Sequence, residues 1–406
     1  MSATAATIHD AQRMRHAGRE LLSLAFIDAR NRTLRWSTAF SQFDASAVAR
    51  EFDPPQWLIG NVGWFQEYSI ARDVRRTRGE FSVDGGLHLA SIEPRADAWF
   101  DPSMTTRQQR WSLTEVGDAH LRDYLAATFD ATMELLERSA ESDAGLNNFR
   151  LALWYEDRCA ETLAELAQAS GLPPDRQAGL WPNWPARARR DALWFPAQRW
   201  SPGSGPGGWM PDNERQLHDE AVPEFEIDAQ AVQWSQYVEF VEDGGYDDQR
   251  WWTESGWSWV VEQERRAPRY VEQLSRGVLV QRQGQVQRVA AAQAAMHLSW
   301  FEADAWCRWA GRRLPTEVEW ELAACTGAAR GFVWGDVVEW TTGRAATGAG
   351  DVYTSAHRSR RVDPGGDRVA RGASAVTVAR LKHPRARRVI ESCSDASFVG
   401  FRSCEL

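Results

Sequence analysis

The chain has 406 residues, which is enough for two domains of ordinary size, and it carries a formal net charge of −9 at pH 7. A mildly acidic protein has no general electrostatic reason to bind nucleic acid or an anionic membrane surface. No apolar run approaches the length of a membrane span, the first residues lack the apolar core of a signal peptide, and the five scattered cysteines suit a reducing compartment. We therefore expect a cytoplasmic protein with neither nucleic acid nor a membrane as partner.

Four amphipathic patterns occupy the first part of the chain. They predict helices over about 7–43, 57–72, 114–138 and 148–169, each with apolar residues at helical spacing. The sequence Asp53-Pro54-Pro55 separates the first two helices, because proline disfavours helix at the residue before it and starts a new helix well. Four such helices predict an up-and-down bundle over residues 1–172.

The composition changes after Leu172-Pro173-Pro174. Residues 173–211 are rich in Trp, Pro, Arg and Gly, which predicts a linker that is ordered against both of its neighbours. Residues 212–406 form a second predicted domain, in which Leu279 to Val289 is expected to be a short hairpin that turns at Gly284.

The most informative stretch of the second domain is HLSWFEADAWCRWAGRRLPTEVEWELAA, residues 297–324. Its aromatic residues from Trp300 to Trp309 fall at helical spacing, and Gly311 is typical of a helix C-terminus. Thr316 can cap a second helix, with Glu319 as its reciprocal partner. Spacing alone therefore predicts two short helices joined by a tight basic turn.

The wording of this stretch resembles the domain shared by formylglycine-generating enzymes and the sulfoxide synthases of ergothioneine biosynthesis. Further parts of that signature follow in the same order, namely Trp334-Gly335, Glu339-Trp340-Thr341, Arg371-Gly372-Ala373-Ser374 and Gly400-Phe401-Arg402. The phrases GNVGWFQEY and ALWYEDRCAET extend the resemblance through the helical half, to the selenoneine and ergothioneine synthase-like family. Formylglycine-generating enzymes fit less well, because no cysteine follows Ser374 until Cys393, where those enzymes need two nearby for copper.

The resemblance implies an α+β fold. Residues 1–172 would be a four-helix bundle of the DinB-like kind, and residues 212–406 a C-type-lectin-like domain of the formylglycine-generating-enzyme type, with the linker of residues 173–211 between them. It also implies oxygen-dependent formation of a C–Se or C–S bond on hercynine, a histidine betaine, with a seleno- or thiosugar among the expected small-molecule partners.

Members of this family hold a non-heme iron with three histidines from two motifs, GHxxWFxE and HExxHxE. The four-residue spacing in the second motif puts two imidazoles on one helical face. In this chain the three ligand positions are Asn61, Tyr155 and Cys159, and the neighbouring Glu161 is retained. The eight histidines all lie outside the two motifs. The resemblance therefore implies no cofactor at these positions, and iron(II) only if a substituted ligand set is functional.

Two interpretations of the substituted positions remain open at this point. Tyr155 and Cys159 can belong to an ordinary apolar helix stripe, in which cysteine acts as a small buried hydrophobe. Alternatively, Cys159, Tyr155 and Glu161, with Asn61, form a changed metal site, since thiolate, phenolate and carboxylate groups can bind iron or zinc.

The resemblance implies further site residues. Tyr353 is the best match to the family's catalytic tyrosine, which acts as an acid in the oxygen chemistry; the alternative is an exposed loop tyrosine. A trimethylammonium group needs aromatic faces and a carboxylate, which makes Trp64, Glu339 and Trp340 candidates for substrate binding. Arg110 is a candidate for binding the second substrate, and is otherwise a surface charge at a helix start.

Two functions are therefore compatible with the sequence. In the first, the chain is an oxidoreductase of the sulfoxide or selenoxide synthase class that works with a substituted metal site. In the second, it is a metal-free pseudoenzyme that binds a small quaternary-ammonium compound, alone or as the partner of an active paralogue. The loss of all three imidazoles favours the second function, and family resemblance favours the first.

Overall fold

A computed structural model describes residues 7–41, 43, 51–72, 89–112, 116–174, 179–215, 219–345 and 366–406. The helices of its first part are α1 (Ala11–Arg15), α2 (Arg19–Phe40), α3 (Pro55–Gln66), α4 (Ala96–Phe100), α5 (Arg107–Arg110), α6 (Asp118–Arg138) and α7 (Asp143–Ser170). Helix α3 continues into a π-helical turn, Glu67–Ala71. The four helical segments predicted from the sequence correspond to α2, α3, α6 and α7.

Local signals set the ends of these helices. Pro55 occupies the first turn of α3, where its missing N–H costs nothing. The Ser142 hydroxyl accepts a hydrogen bond from the Gly145 N–H and caps α7. Helix α7 ends at Gly171, whose left-handed φ of 68° is cheap only for glycine.

The four long helices pack against one another. Helix α7 contacts α2 and α3, and α3 also contacts α6. Gly60 on α3 permits a close approach, because a Cβ atom there would lie 2.2 Å from the Phe100 ring. The contact between α3 and α7 brings the two sequence motifs of the helical region together.

The second part of the described chain contains eleven short strands in four small sheets. The strands are β1 (Leu193–Phe195), β2 (Gln198–Trp200), β3 (Glu220–Val222), β4 (Phe225–Ile227), β5 (Val271–Gln273), β6 (Val278–Arg282), β7 (Gln285–Val289), β8 (Val338–Arg344), β9 (Asp367–Arg371), β10 (Arg387–Glu391) and β11 (Val399–Phe401). The largest sheet has the order β10-β9-β8-β11, and β11 runs parallel to β8. The hairpin predicted at Gly284 is confirmed by the pairing of β6 with β7.

Four helices accompany these sheets, namely α8 (Trp234–Glu242), α9 (Glu254–Glu262), α10 (Trp300–Trp309) and α11 (Glu317–Thr326). The last two are the predicted helical hairpin. Thr316 and Glu319 form the predicted capping box, and Ser299 and Glu302 form another at the start of α10. Gly311, between the two helices, has a φ of 65°.

Part of the predicted linker is built into the second region. Strands β1 and β2 lie within residues 173–211, and they pair antiparallel with β4 and β3 respectively. One apolar core also runs through both regions, since Trp36 and Leu163 of the helical part belong to the same cluster as Trp340 and Phe398. None of the described helices combines the length and the apolar character that crossing a membrane requires.

Candidate functional site

Two of the three side chains at the predicted ligand positions form a hydrogen bond with each other. Asn61 lies on α3, Tyr155 and Cys159 lie on α7, and all three are buried. Tyr155 donates its hydroxyl hydrogen to Asn61 Oδ1, and Asn61 Nδ2 donates to the Phe100 carbonyl at 2.8 Å. The Phe65 ring stacks on the Tyr155 ring with 3.8 Å between centroids. The amide and the phenol therefore satisfy each other inside an aromatic environment.

Cys159 completes this buried group as a neutral thiol. Burial raises the pKa of the thiol well above its usual range, and the negative charge of Glu156 raises it further. Arg158 and a hydrogen bond with Tyr155 oppose that rise without reversing it. Cysteine binds metals as the thiolate. The raised pKa keeps Cys159 as the protonated thiol, which is a poor metal ligand.

These donors do not fit a non-heme iron. The amide oxygen of Asn61 is already a hydrogen-bond acceptor, the Tyr155 phenol keeps its proton in order to donate it, and the Cys159 thiol is neutral. Within the described ranges, no cluster of three or more His, Cys, Asp or Glu side chains is arranged to hold a metal ion. We therefore derive no chemical step through a metal at this position.

The acidic residues next to the trio are used in ion pairs. Glu156 accepts from Arg30 Nε at 3.0 Å and from the Thr33 hydroxyl at 2.8 Å. Asp157 accepts both ends of the Arg380 guanidinium at 2.6 and 2.8 Å, and so ties α7 to the second region. These carboxylates position helices and are not free for a ligand.

Glu161 lies on a different face of α7 from Tyr155 and points toward the second region. It accepts from Arg158, and from Arg388 Nη2 at 2.9 Å. Arg388 also donates to the Thr377 hydroxyl at 3.2 Å. Burial lowers the pKa of Arg158 to about 9, with a further contribution from Arg388, and burial lowers the pKa of Arg388 to about 10. Two desolvated guanidinium groups therefore share one carboxylate where the two regions meet.

The aromatic and basic candidates in the helical region have partners within the protein. Trp64 Nε1 donates to Asp97 at 2.7 Å, and its ring stacks on Tyr68. Arg110 donates to Asp53 at 2.9 Å, and its guanidinium carbon lies 3.9 Å from the centre of a Trp57 ring. The alternative of Arg110 as a surface charge is wrong, because the residue is only 4% exposed.

The candidates in the second region are equally enclosed. Glu339 accepts from Trp320 Nε1 at 2.7 Å and from the Arg402 guanidinium, and Trp340 Nε1 donates to the Leu298 carbonyl at 2.8 Å. Substrate binding by Trp64, Arg110, Glu339 and Trp340 stays a prediction, and these contacts favour a role in the fold instead. Tyr353 lies outside the described residues.

Sequence reasoning missed the Arg158–Arg388 pair. Arg158 lies between Tyr155 and Cys159 in the second motif, so the sequence could have predicted that it is close to the site. Arg388 lies 227 residues beyond Glu161, and its position is set by strand β10 pairing with β9. Local patterns do not report such a contact.

Comparison with known proteins agrees with this architecture. Residues 193–346 match the Sulfatase-modifying factor enzyme 1-like domain. The Hercynine oxygenase of Mycolicibacterium thermoresistibile is 30% identical over 340 residues, which cover 78% of this chain and 69% of that protein. The chain belongs to the hercynine oxygenase family.

Two further relatives are similar to this member of the hercynine oxygenase family. The Hercynine oxygenase of Mycolicibacterium smegmatis is 28% identical over 78% of this chain and 72% of its own length. The Formylglycine-generating enzyme of Streptomyces coelicolor is 32% identical over 40% of this chain and 57% of its own length. The second region is thus a formylglycine-generating-enzyme-type domain of C-type-lectin-like fold.

Proposed function

We propose that this member of the hercynine oxygenase family is a metal-free binding protein and not an oxygenase. The observation that supports this is the hydrogen bond from Tyr155 to Asn61 beside the neutral Cys159 thiol. Each of the three potential donors is either engaged with another or protonated. Replacing them with metal bonds would require two protons to leave a buried, apolar environment.

The ligand that we propose is a small zwitterion of the hercynine type. The relatives' names supply the substrate class, and the Arg158–Arg388 pair supplies a physical reason. Each guanidinium carries about five N–H donors, and Glu161 is the carboxylate that both of them contact directly. Glu165 and Glu214 also act on both guanidinium groups, but burial raises the pKa of these two carboxyls. A ligand carboxylate at this junction would add acceptors for N–H groups of both guanidiniums, and negative charge beyond that of the protein's own carboxylates.

The proposal also includes the type of helical bundle and the place where the ligand binds. Helices α2, α3, α6 and α7 would be the DinB-like bundle of the family, and the ligand would bind where that bundle meets the second region. The role of Tyr353 as a catalytic acid has no part in a metal-free protein, so we expect that its replacement by Phe leaves binding unchanged.

Calorimetry with hercynine tests this proposal. We expect binding that is unchanged by EDTA, and a loss of at least tenfold in affinity for Arg388→Met and for Arg158→Met. Arg288→Met, which changes an exposed arginine on β7, is the matched control and should bind as the unmodified protein does. An affinity that disappears with EDTA and returns with iron(II), together with consumption of hercynine in air, would establish the enzyme function instead.

A further inference from the structure

A second group of buried polar atoms lies around Phe398, and we call it the Phe398 cluster. Its members are Trp181, Trp184, Tyr270, Arg282, His297 and Phe398. The rings of Trp181, Trp184 and His297 lie 5.8, 5.9 and 4.7 Å from the Phe398 ring, between centroids. The Arg282 guanidinium carbon lies 4.4 Å from the centre of a Trp184 ring. Five separate parts of the chain meet here, including the predicted linker and the β6–β7 hairpin.

The backbone is unusual at two members of the cluster. Tyr270 has a φ of 64° and His297 a φ of 61°, both in the left-handed region that residues with a side chain rarely adopt. Their rings meet edge to face, with 4.8 Å between centroids. Such conformations persist where the surroundings enforce them, and they are frequent at ligand sites.

Several polar atoms of the cluster are buried without a partner. Among the described residues, Nε1 of Trp181, Nε1 of Trp184, Oη of Tyr270 and Nδ1 of His297 have no hydrogen bond of good geometry. Buried polar groups are normally paired, because an unpaired one loses its hydrogen bonds to water without gaining others. The two indole nitrogens can only donate, so this environment presents N–H groups.

Arg282 is the cationic member of the cluster. Within the described ranges its polar contact is the Met296 sulfur at 3.9 Å, and no salt bridge to a carboxylate is found. Burial lowers the pKa of this guanidinium to about 10. Arg269, which is also near His297, differs because it has both Glu51 and Asp395 as partners. A desolvated cation without a counter-ion is costly for a folded protein.

His297 supplies the complementary acceptor. Burial lowers the pKa of its imidazole to about 3, and the positive charges of Arg282 and Arg269 add to that effect. The ring is therefore neutral at physiological pH. Nδ1 of the neutral ring is buried without a hydrogen-bond partner among the described residues, and it accepts in the tautomer that carries the proton on Nε2.

We propose that the Phe398 cluster binds a small organic carboxylate whose planar ring carries an N–H or O–H group. The carboxylate pairs with Arg282 and accepts from the two indole N–H groups. The ring lies among the aromatic side chains, and its N–H or O–H donates to His297 Nδ1. The cluster shares no residue with the Arg158–Arg388 pair, and the inference does not rest on the absence of a metal.

NMR of protein labelled with ¹⁵N at the indole nitrogens tests this assignment. Urocanate, a planar imidazole with a carboxylate, is the probe, and its uncharged methyl ester is the control ligand. Urocanate should shift the indole signals of Trp181 and Trp184, which are assigned with Trp181→Phe and Trp184→Phe, and the ester should shift them at least tenfold less at equal concentration. The absence of any shift at both indoles with millimolar urocanate overturns the proposal.

Variants separate the two sites. Arg282→Met should weaken the urocanate response at least tenfold, while Arg288→Met on the same hairpin should leave it unchanged. Arg388→Met should also leave it unchanged, although it weakens hercynine binding under the proposed function. If Arg388→Met removes the indole response and Arg282→Met does not, the anion binds at the other site and the present inference is wrong.

Stability gives a readout that does not need a ligand. If Arg282 serves binding, the unliganded Arg282→Met protein should melt at the same temperature as the unmodified protein or higher, because a buried cation without a counter-ion has been removed. If Arg282 serves the fold, Arg282→Met should melt clearly below Arg288→Met, and that result would contradict the assignment.

Discussion

Helix α7 has two buried faces, and they are closed in different ways. The face with Tyr155 and Cys159 is closed by neutral hydrogen bonds and aromatic packing against α3. The face with Asp157 and Glu161 is closed by ion pairs with arginines of the second region. The difference shows that the contacts that assemble the two regions are separate from the positions that would hold a metal. A scaffold can therefore be kept while the ligand positions change.

The largest effect is expected from the charged face. Asp157→Ala leaves Arg380 buried with Asp28 as its remaining acidic partner, because Arg380 is 4% exposed and donates to Asp157 through two nitrogens. Breaking a buried ion pair in this way should lower the free energy of unfolding by about 3–5 kcal/mol. Denaturant unfolding measures the change. The double variant Asp157→Leu with Arg380→Met should lose less, and an equal or greater loss would show that the pair is not the cause.

A buried carboxylate to which the described residues offer no arginine partner provides the next comparison. Glu302 accepts from the Tyr246 hydroxyl and from Ser299, and burial raises the pKa of its carboxyl to about 7. A raised folded-state pKa favours the protonated form, so folding stability falls as pH rises from about 4.5 to about 7. The contribution is on the order of 3 kcal/mol, taken from the pKa difference.

Glu302→Gln tests this titration, because glutamine keeps the capping geometry and cannot ionise. The variant should gain stability relative to the unmodified protein between pH 5 and pH 8, as measured by denaturant unfolding at each pH. Parallel stability curves for the two proteins over that range would show that Glu302 does not titrate there.

A smaller effect is expected on the neutral face. Tyr155→Phe removes the hydroxyl that donates to Asn61 and leaves the buried Asn61 Oδ1 without that donor, which should cost about 1–3 kcal/mol. Combining it with Asn61→Leu should recover part of the loss, because both polar partners are then absent. Thermal unfolding of the two variants measures this difference. If Tyr155→Phe alone is as stable as the unmodified protein, the hydrogen bond does not stabilise the packing of this face.

Sequence patterns predicted the local elements well. Helix α11 follows from the Thr316–Glu319 capping box, and the β6–β7 hairpin follows from the turn at Gly284. Arg110 was harder to interpret, because its burial depends on Asp53, 57 residues away in the chain. Strands β1 and β2 were missed for a similar reason, since they form only by pairing with β4 and β3.

The candidate site was predictable to a similar extent. The resemblance to the family's two ligand motifs implied that Asn61 and Tyr155 lie close together, and the hydrogen bond between their side chains agrees with this. The protonation of Cys159 and the contact between Glu161 and Arg388 depend on burial and on the second region. Those physical properties arise from the assembled structure and carry no local sequence signal.

The most direct measurement is the iron content of the protein after anaerobic reconstitution with iron(II) and removal of unbound metal. The matched comparison is the triple variant Asn61→His, Tyr155→His and Cys159→His, which restores three imidazoles at these positions. We predict less than about a tenth of an equivalent of iron in the unmodified protein, and severalfold more in the triple variant, because neutral imidazole is a good ligand for iron and these buried donors are not. Stoichiometric iron in the unmodified protein, lost on Cys159→Ala, would contradict the account.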